Sequence, residues 1–344
     1  MQLNRHDLRD AVDDGVISDQ VADSLWQFLS ERGQDTPSFR AVHILYYLGG
    51  IIAISAMTLF MTLGWERFGG WGLFSIALVY ALLATAMTEY LLNRRGLAVP
   101  AGIVAALVVV ITPLAVYGLQ LALGFWAEGF TYRQYHTRVD WRWVLMELAT
   151  LASGAILLWR YRLPFLVMPV AVTLWYMSMD LAPFLFGEED TTWELRRQMS
   201  LWFGLLMTLF AFWVDVRSRR ERDFAFWLYL FGVVAFWGGL SLTYSESELS
   251  KFLYLCINLF LILVGAVLSR RVFAVFGALG VAGYLGHLAY DVFRDSLLFP
   301  FALTAIGLGM IGLGIFWQRR EAAIAGRLRG WLPDPLRELV ERSS

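Results

Sequence analysis

The chain has 344 residues, of which 58% are hydrophobic and 17% are charged, and its formal net charge is -1. Soluble domains carry about 25% charged residues, so this composition excludes an ordinary water-soluble protein. The balanced charge excludes a globally basic nucleic-acid-binding protein. The single cysteine, Cys256, excludes an intramolecular disulfide and a CxxC metal pair, and its apolar neighbours predict that it packs in the core.

Residues 1–42 are predicted to form a cytoplasmic helical hairpin. Gly15 is expected to end a first helix, and Ser18 to cap a second helix that runs to about Arg32. Two short helices bury too little surface to be stable alone, so the apolar face of the second helix should dock on the membrane, the bundle or a cytoplasmic partner protein. That docking face consists of Val21, Leu25, Trp26 and Leu29. The segment has no apolar h-region, so no cleaved signal peptide is expected.

Ten apolar segments follow the hairpin, and most are about 20 residues long, the length that crosses a hydrocarbon layer of about 30 Å. The fourth and sixth are short and are expected to extend into neighbouring loops. The predicted fold class is therefore all-α, a polytopic transmembrane bundle that occupies residues 43–317. Its predicted spans are 43–64, 71–92, 99–123, 144–159, 163–186, 199–214, 224–243, 249–269, 272–289 and 297–317.

The distribution of basic residues predicts the orientation of the spans, because Lys and Arg accumulate in cytoplasmic loops. With ten spans and the N-terminus inside, 20 of the 28 basic residues fall on the inner side. The C-terminal segment 318–344 is predicted to be a basic amphipathic cytoplasmic tail that lies against anionic lipid. Both termini are therefore expected in the cytoplasm.

Small residues and prolines mark places where the spans are expected to pack or bend. Prolines in spans can kink a helix. Glycines at 277, 280, 283 and 286 lie inside an apolar span, so close helix packing explains them better than a nucleotide loop does. The predicted packing faces include Gly49 with Ala53, and Ala278 with Ala282 and Gly286; the candidate kinks are Pro113, Pro169 and Pro183.

Four ionisable residues are predicted to converge near the outer leaflet, because each lies close to the outer end of its span at a helical rise of about 1.5 Å per residue. Such a cluster could bind a cation or exchange protons. The alternative is separate snorkelling of each residue to interfacial water, together with a structural His–Asp pair. The four residues are Glu147, Asp180, His287 and Asp291.

No motif predicts enzymatic chemistry. No lysine precedes Lys251, so a phosphate-binding loop of the Walker type is excluded upstream of it. The four histidines are far apart, and neither HExxH nor a Gly-x-Ser-x-Gly turn occurs. No cofactor, metal site or catalytic residue is therefore predicted, and the expected partner is the lipid bilayer rather than nucleic acid.

Three stretches of the sequence carry a resemblance to a known family. The N-terminal pattern from Leu3 to Leu29, with Gly-Val-Ile-Ser at 15–18, is similar to the start of the DUF2157 family of bacterial membrane proteins. The stretches 284–290 and 295–302 are similar to C-terminal segments of such multi-span proteins. The resemblance implies a bacterial inner-membrane location and implies no activity.

Two functions from different classes are compatible with this sequence. The first is a transporter or flippase-like carrier, for which ten spans, kinked helices and intramembrane ionisable groups are suitable parts. The alternative is a non-catalytic membrane scaffold or sensor that acts through its cytoplasmic hairpin. A water-accessible cavity that reaches the centre of the bundle would favour transport.

The predicted topology can be tested by labelling. A reporter fused after Ser344 should lie in the cytoplasm, and cysteines that replace Thr137 and Glu189 should react with an impermeant reagent from outside. Labelling of either cysteine from the cytoplasmic side would contradict the ten-span arrangement.

Overall fold

The structure is a computed structural model that describes part of the chain in detail. The residues that it describes are 8, 11–12, 15–25, 41–64, 68–126, 141–181, 193–217, 223–243, 247–268, 270–288, 301, 304 and 307–308. Within these ranges the secondary structure is helical and contains no strand.

Nine helices in these ranges coincide, in chain order, with the first nine predicted spans. A 3-10 turn at Pro164–Leu166 precedes the fifth helix. The tenth predicted span, 297–317, has four described residues, all helical, and its extent lies outside the described ranges. The helices are α1 Ala41–Gly64, α2 Gly69–Asn93, α3 Ala98–Ala122, α4 Trp141–Tyr161, α5 Val167–Asp180, α6 Trp193–Arg217, α7 Ala225–Ser241, α8 Glu248–Leu268 and α9 Arg271–His287.

Five of the described helices, α2, α3, α4, α6 and α8, are long and apolar enough to cross a membrane. Shorter apolar helical stretches lie in α1, α7 and α9. The expected extension of the fourth and sixth segments is confirmed, because α4 has 21 residues and α6 has 25. These apolar helices are consistent with an integral membrane protein.

The chain divides into two compact units. The first comprises residues 1–170 with 221–223, and the second comprises 171–220 with 224–344, so the boundary falls within α5. In the first unit α3 packs on α2, α4 and α1; in the second unit α6 packs on α7, and α9 packs on α8 and α7.

Glycine allows the main chains of α2 and α3 to touch in the first unit. A Cβ atom on Gly70 would lie 2.7 Å from the carbonyl oxygen of Gly118 and would also collide with the backbone of Ala122. A Cβ on Gly118 would lie 2.6 Å from the amide nitrogen of Phe74. Since these neighbours are backbone atoms, they cannot rotate away, and only glycine fits.

The pair α6 and α7 in the second unit is built in the same way. A Cβ on Gly204 would lie 2.7 Å from the carbonyl oxygen of Gly232, and one on Gly239 would lie 2.8 Å from the amide nitrogen of Leu201. These contacts extend from Gly232, in the middle of α7, to Gly239 near its end, so α6 and α7 stay close along the second half of α7.

The structure corrects two expectations about packing and one about bending. The face of α9 that holds Ala278, Ala282 and Gly286 is exposed, and within the described part of the chain no atom lies within 4 Å of a Cβ on Gly286. Cys256 is also exposed, because it lies about 200° around α8 from the buried Asn258. Pro169 lies in the first turn of α5, where a missing N–H breaks no helical hydrogen bond.

The N-terminal hairpin is described in part. Gly15 has φ of +71°, and its amide donates to the carbonyl oxygen of Val12, as expected of a helix stop. Residues 19–25 are helical, and Val21 and Leu25 are 51% and 38% exposed. Trp26 and Leu29 lie outside the described residues, and the docking of this face stays a prediction.

Two adjacent glycines of α7 give a matched test of the close helix contact. Gly239→Ala should destabilise the protein by about 1–3 kcal/mol, because its Cβ collides with the backbone of α6. Gly238→Ala should be neutral, or stabilising by up to about 1 kcal/mol, since its Cβ meets no described atom within 4 Å and alanine favours the helix. Equal effects of the two substitutions on thermal unfolding in detergent would contradict the packing.

Candidate functional site

A cleft of about 720 Å³ lies between α7, α8 and α9 in the second unit. The cleft extends along α8 from Ser250 to Ile257, which is nine residues, or about 13 Å, from the first residue of this helix. It therefore reaches close to the middle of the 21-residue helix. The apolar part of its wall comprises Trp237, Leu240, Leu253, Ile257 and Leu279.

The cleft opens because α8 and α9 diverge toward one end. A Cβ on Gly277 would lie 2.6 Å from the carbonyl oxygen of Asn258, and one on Gly280 would collide with the Asn258 side chain. One turn further on, a Cβ on Gly283 would lie 4.0 Å from the hydroxyl of Tyr254, which is ordinary contact. The sequence-based prediction of close packing is thus confirmed for Gly277 and Gly280, whereas Gly283 lines the cleft.

Asn258 lies beside the inner end of the cleft and is hydrogen-bonded to Trp237, which lines the cleft. Asn258 is fully buried, and its Oδ1 accepts a hydrogen bond of 3.1 Å from Nε1 of Trp237 on α7. Its Nδ2 donates to the carbonyl oxygen of Tyr254 at 2.8 Å. The two hydrogen bonds satisfy the buried amide, and the bond to Trp237 joins α8 to α7.

The end of the cleft beside Gly283 is polar and includes an ammonium group that is paired with a carboxylate. The hydroxyl groups of Ser241 and Tyr254 are 2.9 Å apart and share a hydrogen bond. Lys251, the only lysine in the chain, contributes to the wall, and its ammonium pairs at 2.8 Å with Glu248, which does not line the cleft. His287 lines the same end. None of the thirteen described residues that line the cleft has a carboxylate.

A buried ion pair joins the C-terminal end of α6 to the N-terminal end of α9. The cleft lies at the other end of α9. Arg270 donates to both carboxylate oxygens of Asp215, at 2.7 and 3.2 Å, and the Asp215 side chain is 2% exposed. The guanidinium lies 5.5 Å from the ring centre of Tyr229, which in turn packs edge-on against Phe273. Charge pairing and aromatic packing therefore hold the described helices together at this end of the second unit.

The first unit contains a more exposed counterpart of this ion pair. Glu89 on α2 accepts hydrogen bonds from Arg160 at 3.1 Å and from the hydroxyl of Tyr161 at 2.9 Å, both in the last turn of α4. The side chains of Arg160 and Glu89 are 60% and 34% exposed. An apolar groove of about 240 Å³ lies between α1 and α3, and Gly49 and Ala53, which were predicted to form a packing face, are exposed and line this groove.

The four residues of the predicted outer-leaflet cluster fall in different parts of the structure. Glu147 belongs to the first unit and is 8% exposed; because α4 begins at Trp141, it lies deeper in its helix than predicted. Asp180 is the last residue of α5, and His287 is the last residue of α9, both in the second unit. Asp291 lies outside the described residues. Convergence of the four stays a prediction.

The sequence interpretation missed most of the residues that form the cleft. A polar stripe on an otherwise apolar helix was the available signal, since Lys251, Tyr254 and Asn258 follow i, i+3, i+7 spacing and so share one face of α8. Asp215 and Arg270 gave a weaker signal, because charges at span ends are common at membrane interfaces.

Comparisons with protein-family models, with curated proteins and with solved structures give no match. Among the residues that the structure describes, no group of three or more His, Cys, Asp or Glu side chains could hold a metal ion. The geometry of the cleft therefore carries the functional argument.

The two ion pairs should differ sharply in their contribution to stability. Asp215→Asn leaves the charge of Arg270 largely buried without its carboxylate, which should cost about 3–5 kcal/mol. Glu89→Gln removes an exposed pair and should cost about 1 kcal/mol or less. Both free-energy costs can be measured by circular dichroism as the detergent-solubilised variants unfold in added denaturant. Similar costs for the two variants would contradict the assignment of Asp215 and Arg270 as a buried ion pair.

Proposed function

We propose that this chain is a ten-span membrane carrier that binds a small amphipathic solute in the cleft between α7, α8 and α9. The proposal places the protein in a bacterial inner membrane with both termini in the cytoplasm. Its membrane location is supported by the long apolar helices, and its orientation by the excess of basic residues in the predicted inner loops.

The observation that carries this proposal is the asymmetry of the second unit. Among the described residues the cleft is lined at one end by Lys251 and His287, whereas the buried pair of Asp215 and Arg270 holds α6 to the start of α9 at the other end of the unit. A carrier that works by alternating access needs a central site that is open to one side while the other side is sealed. The size of the cleft falls within the usual range of small-molecule sites, about 300–1,000 Å³.

A second function, that of a membrane scaffold or sensor, is favoured by one observation on the hairpin. Val21 and Leu25 present exposed apolar side chains on the segment that the sequence predicts to be a docking face. A cytoplasmic partner that covers these side chains would account for their exposure. Membership in the DUF2157 family likewise remains a proposal, based on the N-terminal and C-terminal stretches quoted above.

Cysteine accessibility tests the carrier proposal at the base of the cleft. Ile257→Cys in a Cys256→Ser background should react with an impermeant maleimide, because Ile257 lines the cleft and thiolates form only in contact with water. Native Cys256 is the matched control: it lies at the same depth, is exposed and does not line the cleft. In the membrane its side chain should face lipid, so it should react much more slowly.

Two further variants decide whether the cleft is a passage. Gly283→Leu should block labelling of Ile257→Cys, because Gly283 lines the cleft, while Gly286→Leu should not. Adding Asp215→Asn or Arg270→Lys, which loosen the closed end, should allow labelling from the opposite side of the membrane. Labelling no faster than that of Cys256, or labelling from one side only in both loosened variants, would contradict a carrier.

A further inference from the structure

We propose that Glu147 on α4 is a proton-binding residue that takes up a proton from the outer aqueous side. The proton adds to one carboxylate oxygen and converts a negative charge inside the first unit into a neutral acid. The proton site lies in the first unit, apart from the cleft of the second unit. It rests on the proposed function only for the orientation that places the start of α4 at the outer side.

The segments that contain α4 and α8 resemble each other as copies of one repeat. When residues 141–180 are aligned with 252–291 without a gap, ten of the 40 pairs are identical, so each position of α4 has a defined counterpart. The identical pairs are Leu148/Leu259, Gly154/Gly265, Ala155/Ala266, Leu157/Leu268, Arg160/Arg271, Phe165/Phe276, Val170/Val281, Ala171/Ala282, Leu174/Leu285 and Asp180/Asp291.

The burial of the two helices follows the same alignment. The three buried residues of α8 all have buried counterparts on α4. The two glycines also have the same role, because a Cβ on either would collide with the start of the following helix, at Val170 in one repeat and Ala274 in the other. The buried pairs are Glu147 with Asn258, Thr150 with Leu261, and Gly154 with Gly265.

The counterpart residue shows what kind of side chain this position accommodates. Asn258 is fully buried, and its neutral amide both donates and accepts a hydrogen bond. Protonated glutamic acid resembles such an amide, because it is neutral and can also donate and accept. The ionised carboxylate only accepts, and its burial costs more free energy. At Glu147, which is 8% exposed, one proton therefore interconverts two forms that fit the interior differently.

Hydroxyl groups follow Glu147 along α4. Thr150 and Ser153 lie three and six residues further on, and Oγ of Ser153 is 3.0 Å from Oγ1 of Thr112 on α3. Glu147 is about 9 Å along the helix from Trp141, and the hydroxyl groups continue about 9 Å deeper, so the carboxyl group lies at the outer end of this polar line. The counterparts of the two α4 hydroxyl residues in the second repeat are apolar, Leu261 and Val264.

Two other charged or titratable side chains belong to the described elements at this end of α4. On α3 there is Tyr117, and on α4 there is Arg142, whose guanidinium donates to the carbonyl oxygen of Phe125 and lies 4.6 Å from the ring centre of Trp126. The 3-10 turn that also packs on α4 has no titratable side chain. Glu147 has further interactions, which are compatible with proton exchange because a carboxylate accepts hydrogen bonds and its protonated form also donates them.

Labelling with dicyclohexylcarbodiimide tests the proposal, because this apolar reagent adds to carboxyl groups in the protonated form. In right-side-out membrane vesicles at constant inner pH, mass spectrometry should find Glu147 modified. Above the midpoint of its titration, the labelling rate should fall about tenfold per unit of outer pH, the dependence expected of one proton. The matched control is Glu89, a carboxylate of the first unit that accepts hydrogen bonds from Arg160 and Tyr161 and should stay unmodified.

Two variants separate proton binding from a structural role. Glu147→Asp should keep the label and its dependence on outer pH. Glu147→Asn introduces the side chain of the second repeat, so it should fold with unchanged thermal stability in detergent and lose the label. Failure of Glu147→Asn to fold would overturn the equivalence with Asn258.

The outcomes distinguish this inference from the proposed carrier. Modification of Glu147 that follows outer pH supports the proton site, even where the absence of labelling at Ile257→Cys overturns the carrier. Labelling of Ile257→Cys with an unmodified Glu147 would overturn the proton site and leave the carrier in place. Modification that does not respond to outer pH, or equal modification of Glu89, would also overturn the proton site.

Discussion

Direct contact between helix backbones at glycine organises both units of this protein. Between helices in lipid, packing and hydrogen bonds must replace the hydrophobic effect that drives association in water. Gly70 with Gly118, and Gly204 with Gly232, bring pairs of main chains within van der Waals contact. At such positions a single methyl group would force the helices apart, so the separation of each pair is fixed by residues that have no side chain.

The cleft exists because this contact stops part-way along α9. Gly277 and Gly280 hold α9 against Asn258, and beyond them the helix diverges from α8. The same sequence feature, a glycine every third residue, therefore gives tight packing at one end of α9 and an open wall at Gly283. Asn258 lies where α8 and α9 begin to diverge. Its side chain fills the space beside Gly280, and its amide oxygen accepts a hydrogen bond from Trp237.

In each unit, an acidic residue near the end of one helix forms an ion pair with an arginine that lies two helices further along the chain. Glu89 on α2 pairs with Arg160 at the end of α4, and Asp215 on α6 pairs with Arg270, which follows α8. The two pairs differ in burial, and burial determines their roles. An exposed pair exchanges readily with water and contributes little, whereas a buried bidentate pair resists separation until a conformational change rehydrates it.

The sequence by itself determined the class of the protein and the positions of its helices. Runs of apolar residues predicted ten segments, and nine of them overlap described helices, of which five are long and apolar enough to cross a membrane; hydropathy could locate them because it is a local property of the chain. Gly15 was also predictable, since a helix stop depends on the conformational freedom of one residue.

The tertiary structure alone decided which face of each helix packs. In α8, Cys256 is exposed and Asn258 is buried, although both lie in the same apolar run. In α9, the contact uses Gly277 and Gly280 rather than Ala278 and Ala282. In an all-apolar helix every face is compatible with lipid, so hydrophobic periodicity cannot identify the buried one. Steric fit between distant segments selects it, and that fit also created the cleft.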